Sequence, residues 1–332
     1  MKRIAVLFAA MSVTVLVSIG CGNINPLNVL NNLLGGTNFI TPTLPIGDTW
    51  VQATVGTPYP GRAGHRMLTY NNKMWVMTGS LGATYSNDVW SSSTGSNWTL
   101  ETDSAFTTAG RLHSGAAVFH SAMWVIGGNI PGTSYSNDVW YSLNGSSWTK
   151  VGTFSLPRYG HTLLVYNSKL WLIGGETASS VTNDVWYSSD GTNWSCATNS
   201  AAFSKRLFHY AVVFLNKMWV INGYTGSGYL NDVWYSTDGA EWTQASAAPF
   251  SARHTSSTLV LNERLYVMGG FNGSYLNDVY YTTNGNNWTT MTMSTPFTAR
   301  SARGCTVFKD KLWVSGGNIA GSHYNDVWSS GD

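Results

Sequence analysis

Charge is scarce in this chain of 332 residues: 10% are charged, and 18 basic against 16 acidic residues leave a net charge of +2. Past the N-terminus no run of Lys or Arg occurs. That excludes the concentrated basic surface on which nucleic-acid recognition rests. Long apolar runs are scarce as well. The longest, Ile4 to Val17, is short for a membrane span. No cluster of His, Cys and Asp has metal-ligand spacing, and neither a phosphate loop nor a nucleophile motif is present, so no metal or cofactor is expected. The composition is instead rich in Asn, Ser, Thr and Gly. Low charge with high polarity suits an extracytoplasmic surface.

The first 21 residues read MKRIAVLFAAMSVTVLVSIGC. A basic start, an apolar core and small residues have the order of a secretory signal. The ending VSIGC resembles a bacterial lipoprotein signal, with Cys21 as the lipidated residue. The expectation is a signal peptide over 1–20 and an anchor cysteine with a flexible tether over 21–46. The folded part would span 47–332, held to the membrane of a bacterial envelope through Cys21. An ordinary signal peptide, giving a secreted protein, is the alternative.

What the chain has in abundance is repetition. The tetrad Asn-Asp-Val followed by Trp or Tyr begins at Asn87, Asn137, Asn183, Asn231, Asn277 and Asn325, at intervals of 46 to 50 residues. That period fits a propeller blade or a two-helix solenoid unit. The units are built from Val, Tyr, Trp and Thr, with Gly, Asn and Asp at the breaks, which is strand and turn chemistry. Each unit divides into four short strands: HRMLTY, MWVMTG, NDVWSS and WTLET in the first. The second run is apolar on both alternating faces, so it needs cover on both sides. The fourth alternates, as an outer strand half open to water does. Cys196 and Cys305 fall in the third and sixth repeats, opposite each other in a six-fold ring, and are expected to be buried free thiols rather than a disulfide.

The outer strand carries Gly-x-x-Trp in five repeats, and all 16 tryptophans fall at repeat positions. The sixth repeat stops short of that strand. The missing piece precedes the first repeat, at Gly47-Asp48-Thr49-Trp50. The expected fold is therefore all-β: a six-bladed β-propeller of four-stranded antiparallel blades, with the N-terminal strand closing the last one.

The order of signals resembles the kelch-repeat family: an Arg opening the inner strand, a di-glycine ending the second, Asn-Asp starting the third and Trp in the fourth. The di-glycine stands at Gly127-Gly128, Gly174-Gly175, Gly269-Gly270 and Gly316-Gly317, and is partial at Thr78-Gly79 and Asn222-Gly223. The resemblance covers Trp50 to Trp328. It implies roles as varied as protein binding, glycan binding and occasional enzymes such as galactose oxidase and sialic acid mutarotases, and fold alone does not choose among them. YSSDGTNW is also similar to the sialidase Asp-box but one residue short, and reads as a hairpin turn.

The Arg, di-glycine and Asn-Asp elements share one end of each blade, together with the longer variable loops, where binding surfaces are usually built. There Arg62, Arg111, Arg158, Arg206, Arg253 and Arg300 recur once per blade, with His65, His113, His161, His209 and His254 close behind. They are candidates either for an anion or carboxylate site at the central mouth or for pairing with the Asp of each tetrad. Glu176 is the one carboxylate directly after a di-glycine, near Arg158 and His161. It is the candidate for an acid/base on a sugar. Tyr224 and Phe271 occupy the same position in their blades and are candidate ligand contacts. Three functions fit this placement. The leading expectation is a monomeric, non-catalytic envelope protein that binds a protein or glycan. The alternatives are a mutarotase-like enzyme acting on acidic sugars and a structural envelope component.

Overall fold

The computed structural model describes residues 49–331 apart from 108, 133, 134 and 293, together with Ile4–Ala5 and Leu16–Val17. The chain divides into two units, residues 1–44 and 45–332. In the first, Ile4–Ala5 pairs antiparallel with Leu16–Val17. The rest of the expected signal segment, Cys21 and the tether lie outside the described residues.

The second unit is built on six four-stranded antiparallel sheets; blade 3 adds the short strand Arg158–Tyr159, and Asn318–Ile319 pairs separately with Ser322–His323. Blade 1 runs outward through Arg66–Tyr70, Lys73–Met77, Val89–Ser92 and Thr99–Thr102. The inner strands of blades 2 to 6 are Gly115–Phe119, Thr162–Tyr166, Tyr210–Phe214, Ser257–Leu261 and Gly304–Phe308. Each touches the next in sequence order and the sixth touches the first, so the ring closes. Blade 6 takes its outer strand from the N-terminus: Trp50–Thr54 pairs with Val327–Ser330, Trp50 opposite Ser330. The second strands are buried almost throughout, as in KLWLIGGET of blade 3, because neighbouring blades cover both faces.

Local chemistry explains the repeat. Every inner hairpin turns on two residues with positive φ, Asn71 and Asn72 (47° and 55°) in blade 1, the geometry that matches strand twist. In the outer hairpin of blade 3 the Ser188 hydroxyl accepts from the Gly191 amide (2.8 Å), and Asp190 accepts from Thr192 (2.8 Å) and Asn193 (2.7 Å). A Cβ on Gly191 would lie 2.3 Å from the Trp124 ring of blade 2. The glycine is there so that the neighbouring blade's tryptophan can pack over the turn.

A second staple escaped the sequence reading. Tyr59, Phe106, Phe154, Phe203, Phe250 and Phe297 each precede a blade's first Arg and pack against that blade's outer-strand tryptophan, at 5.0–5.4 Å between ring centres. Phe297 packs on Trp50, the strand contributed by the other end of the chain. Their near-constant spacing was the available signal.

One expectation is corrected. Both described cysteines are free, but Cys196 is exposed and Cys305 only half-buried. Cys196 lies on the outer strand Ser195–Thr198, whose face opens to water. Cys305 lies on an inner strand at the central channel.

Candidate functional site

The six repeat arginines precede their inner strands by four residues and are 0–3% exposed. Each reaches back into its own blade. Arg158 grips Asp184 with both terminal nitrogens (2.8 Å and 2.8 Å) and donates to the Gly174 carbonyl (2.9 Å). The same bidentate grip joins Arg62 to Asp88, Arg206 to Asp232, Arg253 to Asp278 and Arg300 to Asp326. Asp88, Asp184 and Asp232 are pushed up by burial, but the arginine bonds and charge outweigh this and hold them below the usual carboxylate range. Five guanidiniums are therefore taken up by carboxylates inside the blades, which leaves them unsuited to gripping an anion at the mouth.

Blade 2 departs from the pattern. Lys150, on the outer strand, ion-pairs with Asp138, and Arg111 stands 3.9 Å from that carboxylate. The Nε and Nη2 of Arg111 and the Trp140 indole nitrogen have no hydrogen-bond partner. In blade 3 the position of Lys150 is held by Cys196, whose thiol is pushed up by burial and by the Asp184 charge.

The five histidines are not equivalent. His65, His161 and His209 each stand three residues after the Arg. They are wedged between blades: a Cβ on Gly115 or Gly127 of blade 2 would meet the His161 ring at 2.7 or 3.0 Å. Burial, then the Arg158 charge, pushes His161 well below its ordinary pKa, against a smaller upward push from a hydrogen bond with the Ile126 backbone. His161 is thus a neutral wedge. The same place is filled by Arg303 in blade 6, against Gly269. Where the preceding blade lacks the first glycine, the wedge shrinks to serine: Ser114 follows the blade with Thr78, and Ser256 bonds Asn222 (3.1 Å).

His113 belongs to another ring. Gly64, His113, Gly160, Phe208, Thr255 and Ala302, one per blade, all have φ between 50° and 67°. Their backbones link around the axis: the amide of His113 donates to Gly64, Gly160 to His113, Phe208 to Gly160, Thr255 to Phe208 and Gly64 to Ala302, at 2.8–3.1 Å. This collar narrows the mouth.

Above the collar the blades differ. Tyr135 and Tyr159 face each other with ring centres 4.4 Å apart, and their hydroxyls donate to the two oxygens of Glu176 (3.2 and 2.9 Å). Burial first, then the Glu176 bond, pushes the Tyr159 hydroxyl up. Tyr159 meets Phe208 (5.5 Å), and Phe208 meets His113 (4.6 Å) and His254 (5.6 Å). From His254 the path continues to Tyr224 (5.7 Å), Tyr229 (5.3 Å) and Phe271 (5.7 Å), and from Phe271 to Tyr275 (5.0 Å). Every one of these rings is half-buried. The result is a continuous aromatic track over blades 2 to 5. Tyr224 and Phe271 were visible in the sequence as departures from the repeat. Phe208 was not, and His254 was visible only as one of the histidines behind the repeat arginines, since the collar that brings them together is a backbone feature. Among the described residues no group of three or more His, Cys, Asp or Glu could hold a metal ion.

A closed ring of six blades, each tied by an Arg to a carbonyl at the end of the second strand and to an Asn-Asp strand, defines a kelch-type β-propeller. The chain belongs to that family: the KLHDC2/KLHL20/DRC7 Kelch-repeats domain matches residues 116–317. The solved "Structure of YjhT" is similar with a TM-score of 0.70 over 84% of this chain and 96% of that one, at 18% sequence identity. No curated protein matches the chain.

Proposed function

We propose that this propeller is a non-catalytic binding module whose loop face holds a protein or glycan partner against the aromatic track. The observation that carries this is the track itself. Half-open rings at one end of a rigid ring supply large contact area at small entropic cost. Kelch propellers generally serve as interaction scaffolds, which agrees with this reading. The test is retention on protein and glycan arrays, wild type against Tyr224→Ala/Phe271→Ala. A partner held by the wild type and released by the variant supports the proposal; partners held equally by both reject it.

The enzyme reading rests on Glu176. Both of its oxygens accept from tyrosine hydroxyls, an arrangement that fits a carboxylate fixing two rings better than one free to exchange a proton. Turnover of an acidic sugar that disappears in Glu176→Gln would replace the binding reading. The proposed location is the bacterial envelope, by lipid on Cys21, from the basic, apolar and small-residue order before it. Labelling with a fatty-acid analogue should mark the wild type and not Cys21→Ala; equal labelling would remove the anchor.

A further inference from the structure

We infer that the axial channel at the collar is a binding site for a small inorganic anion, with Arg66 as its contact group and Arg303 as a second source of charge. Residues from all six blades line one pocket, among them His65, Arg66, His113, His209, Tyr210 and Arg303. Only the axis is shared by six blades, so the pocket lies on it. No Asp or Glu lines it. The space open to the centre of a water-sized sphere is ≈ 20 Å³, above the roughly 10–15 Å³ that one water requires.

The charge balance is what singles this pocket out. The repeat arginines have carboxylates close by, whereas among the described residues none lies within ion-pair distance of Arg66 or Arg303. Arg303 is 3% exposed; its Nη2 donates to the Met268 carbonyl (2.9 Å), and its Nε and Nη1 have no partner. The carboxylate nearest in effect, Asp278, is already gripped by Arg253. Arg66 donates to the Ser114 carbonyl and bonds Tyr210 from the opposite blade. Arg66 is half-buried and lines the channel pocket. The lining histidines do not add charge. Burial first, then the arginine charges, pushes His65 far down and His209 to about 3, and burial followed by the Arg66 charge puts His113 at about 3. Neither nitrogen of His65 or His209 has a protein partner. Two guanidiniums in a low-dielectric cavity, without a counter-charge and among neutral polar groups, select an anion. The pocket's size restricts it to chloride, bromide or a small oxyanion.

This site borders the aromatic track at His113 and Phe208 but takes its charge from Arg66 and Arg303, which lie outside the track. The experiment is thermal unfolding of the full chain at fixed ionic strength, with gluconate replaced stepwise by bromide, phosphate or sulfate. A saturable rise in Tm of roughly 2–4 °C is expected with at least one of them, and it should be lost in Arg66→Gln. A Tm that follows ionic strength alone, a rise reached only at molar salt, or an unchanged rise in Arg66→Gln overturns the proposal. If Arg66→Gln does not fold, wild-type crystals soaked in bromide decide. An anomalous peak in contact with the Arg66 guanidinium supports the site, and its absence from the channel overturns it.

Discussion

A guanidinium withdrawn from water has to be matched at short range, and in this ring the match is made inside each blade. Removing one partner leaves the other charge buried and unpaired, a cost of about 3–5 kcal/mol for such a pair. Asp184→Ala should therefore lower the unfolding free energy by about that much, since the buried Arg158 loses its counter-charge and keeps only the Gly174 carbonyl as an acceptor for its terminal nitrogens. Asp138→Ala should cost clearly less, because Arg111 stands 3.9 Å away and the other partner, Lys150, is 42% exposed. Chemical denaturation of the two variants checks the order; equal losses would contradict it. The pairing was legible in the sequence as six Arg matching six Asp in phase. The blade 2 exception was not, because Lys150 comes from an outer strand whose register decides which side chain reaches the carboxylate.

At the scale of the element, the di-glycine departures have a packing cause. Gly174 lies 3.2 Å, from where its Cβ would be, to the His209 ring of the next blade. The corresponding Asn222 coexists with Ser256. Both positions hold positive φ (55° and 61°), which asparagine tolerates. Gly174→Asn should destabilise the protein by about 1–3 kcal/mol through overpacking. Adding His209→Ser should recover part of the loss, a coupling of about 0.5–3 kcal/mol. Additive effects in the double-mutant cycle would show that the two positions do not share a notch. The residues were plain in the sequence, with Ser114 and Ser256 following the two blades that lack the first glycine. Their relation was not, since it runs between blades and becomes visible only when the ring is closed.

At the scale of the whole molecule, closure makes one cooperative object from six weak sheets, and its buried histidines tie stability to pH. Burial holds His113 and His209 at about 3 and His254 at about 4, whereas the unfolded value is about 6.5. Between those limits the unfolded chain binds more protons. Stability is therefore full above pH about 6.5 and falls as pH drops. Below about 4 the depressed Asp88, Asp184 and Asp232 add to the loss, since their contribution is present above the unfolded carboxylate value and disappears as pH falls through the folded one. Denaturant midpoints should be level from pH 8 to 7 and decline steadily toward 4; a rise on acidification from 7 to 5 would contradict this.

The ring, the strand order and the closing strand were all readable from period and turn chemistry, because every blade repeats them. The aromatic track was readable only in part, because it depends on how non-repeated residues meet across blades. That asymmetry between a uniform scaffold and one varied face is the central claim, and a comparison of the two faces tests it most directly. Bound partner would be measured for Tyr224→Ala/Phe271→Ala on the loop face and for Leu215→Asp on an inner hairpin turn at the other end, where the leucine is 53% exposed. The account predicts at least a tenfold loss for the first, about 1.4 kcal/mol, and unchanged binding for the second. Loss in Leu215→Asp with full binding in the loop-face variant would place the partner on the opposite face and contradict it.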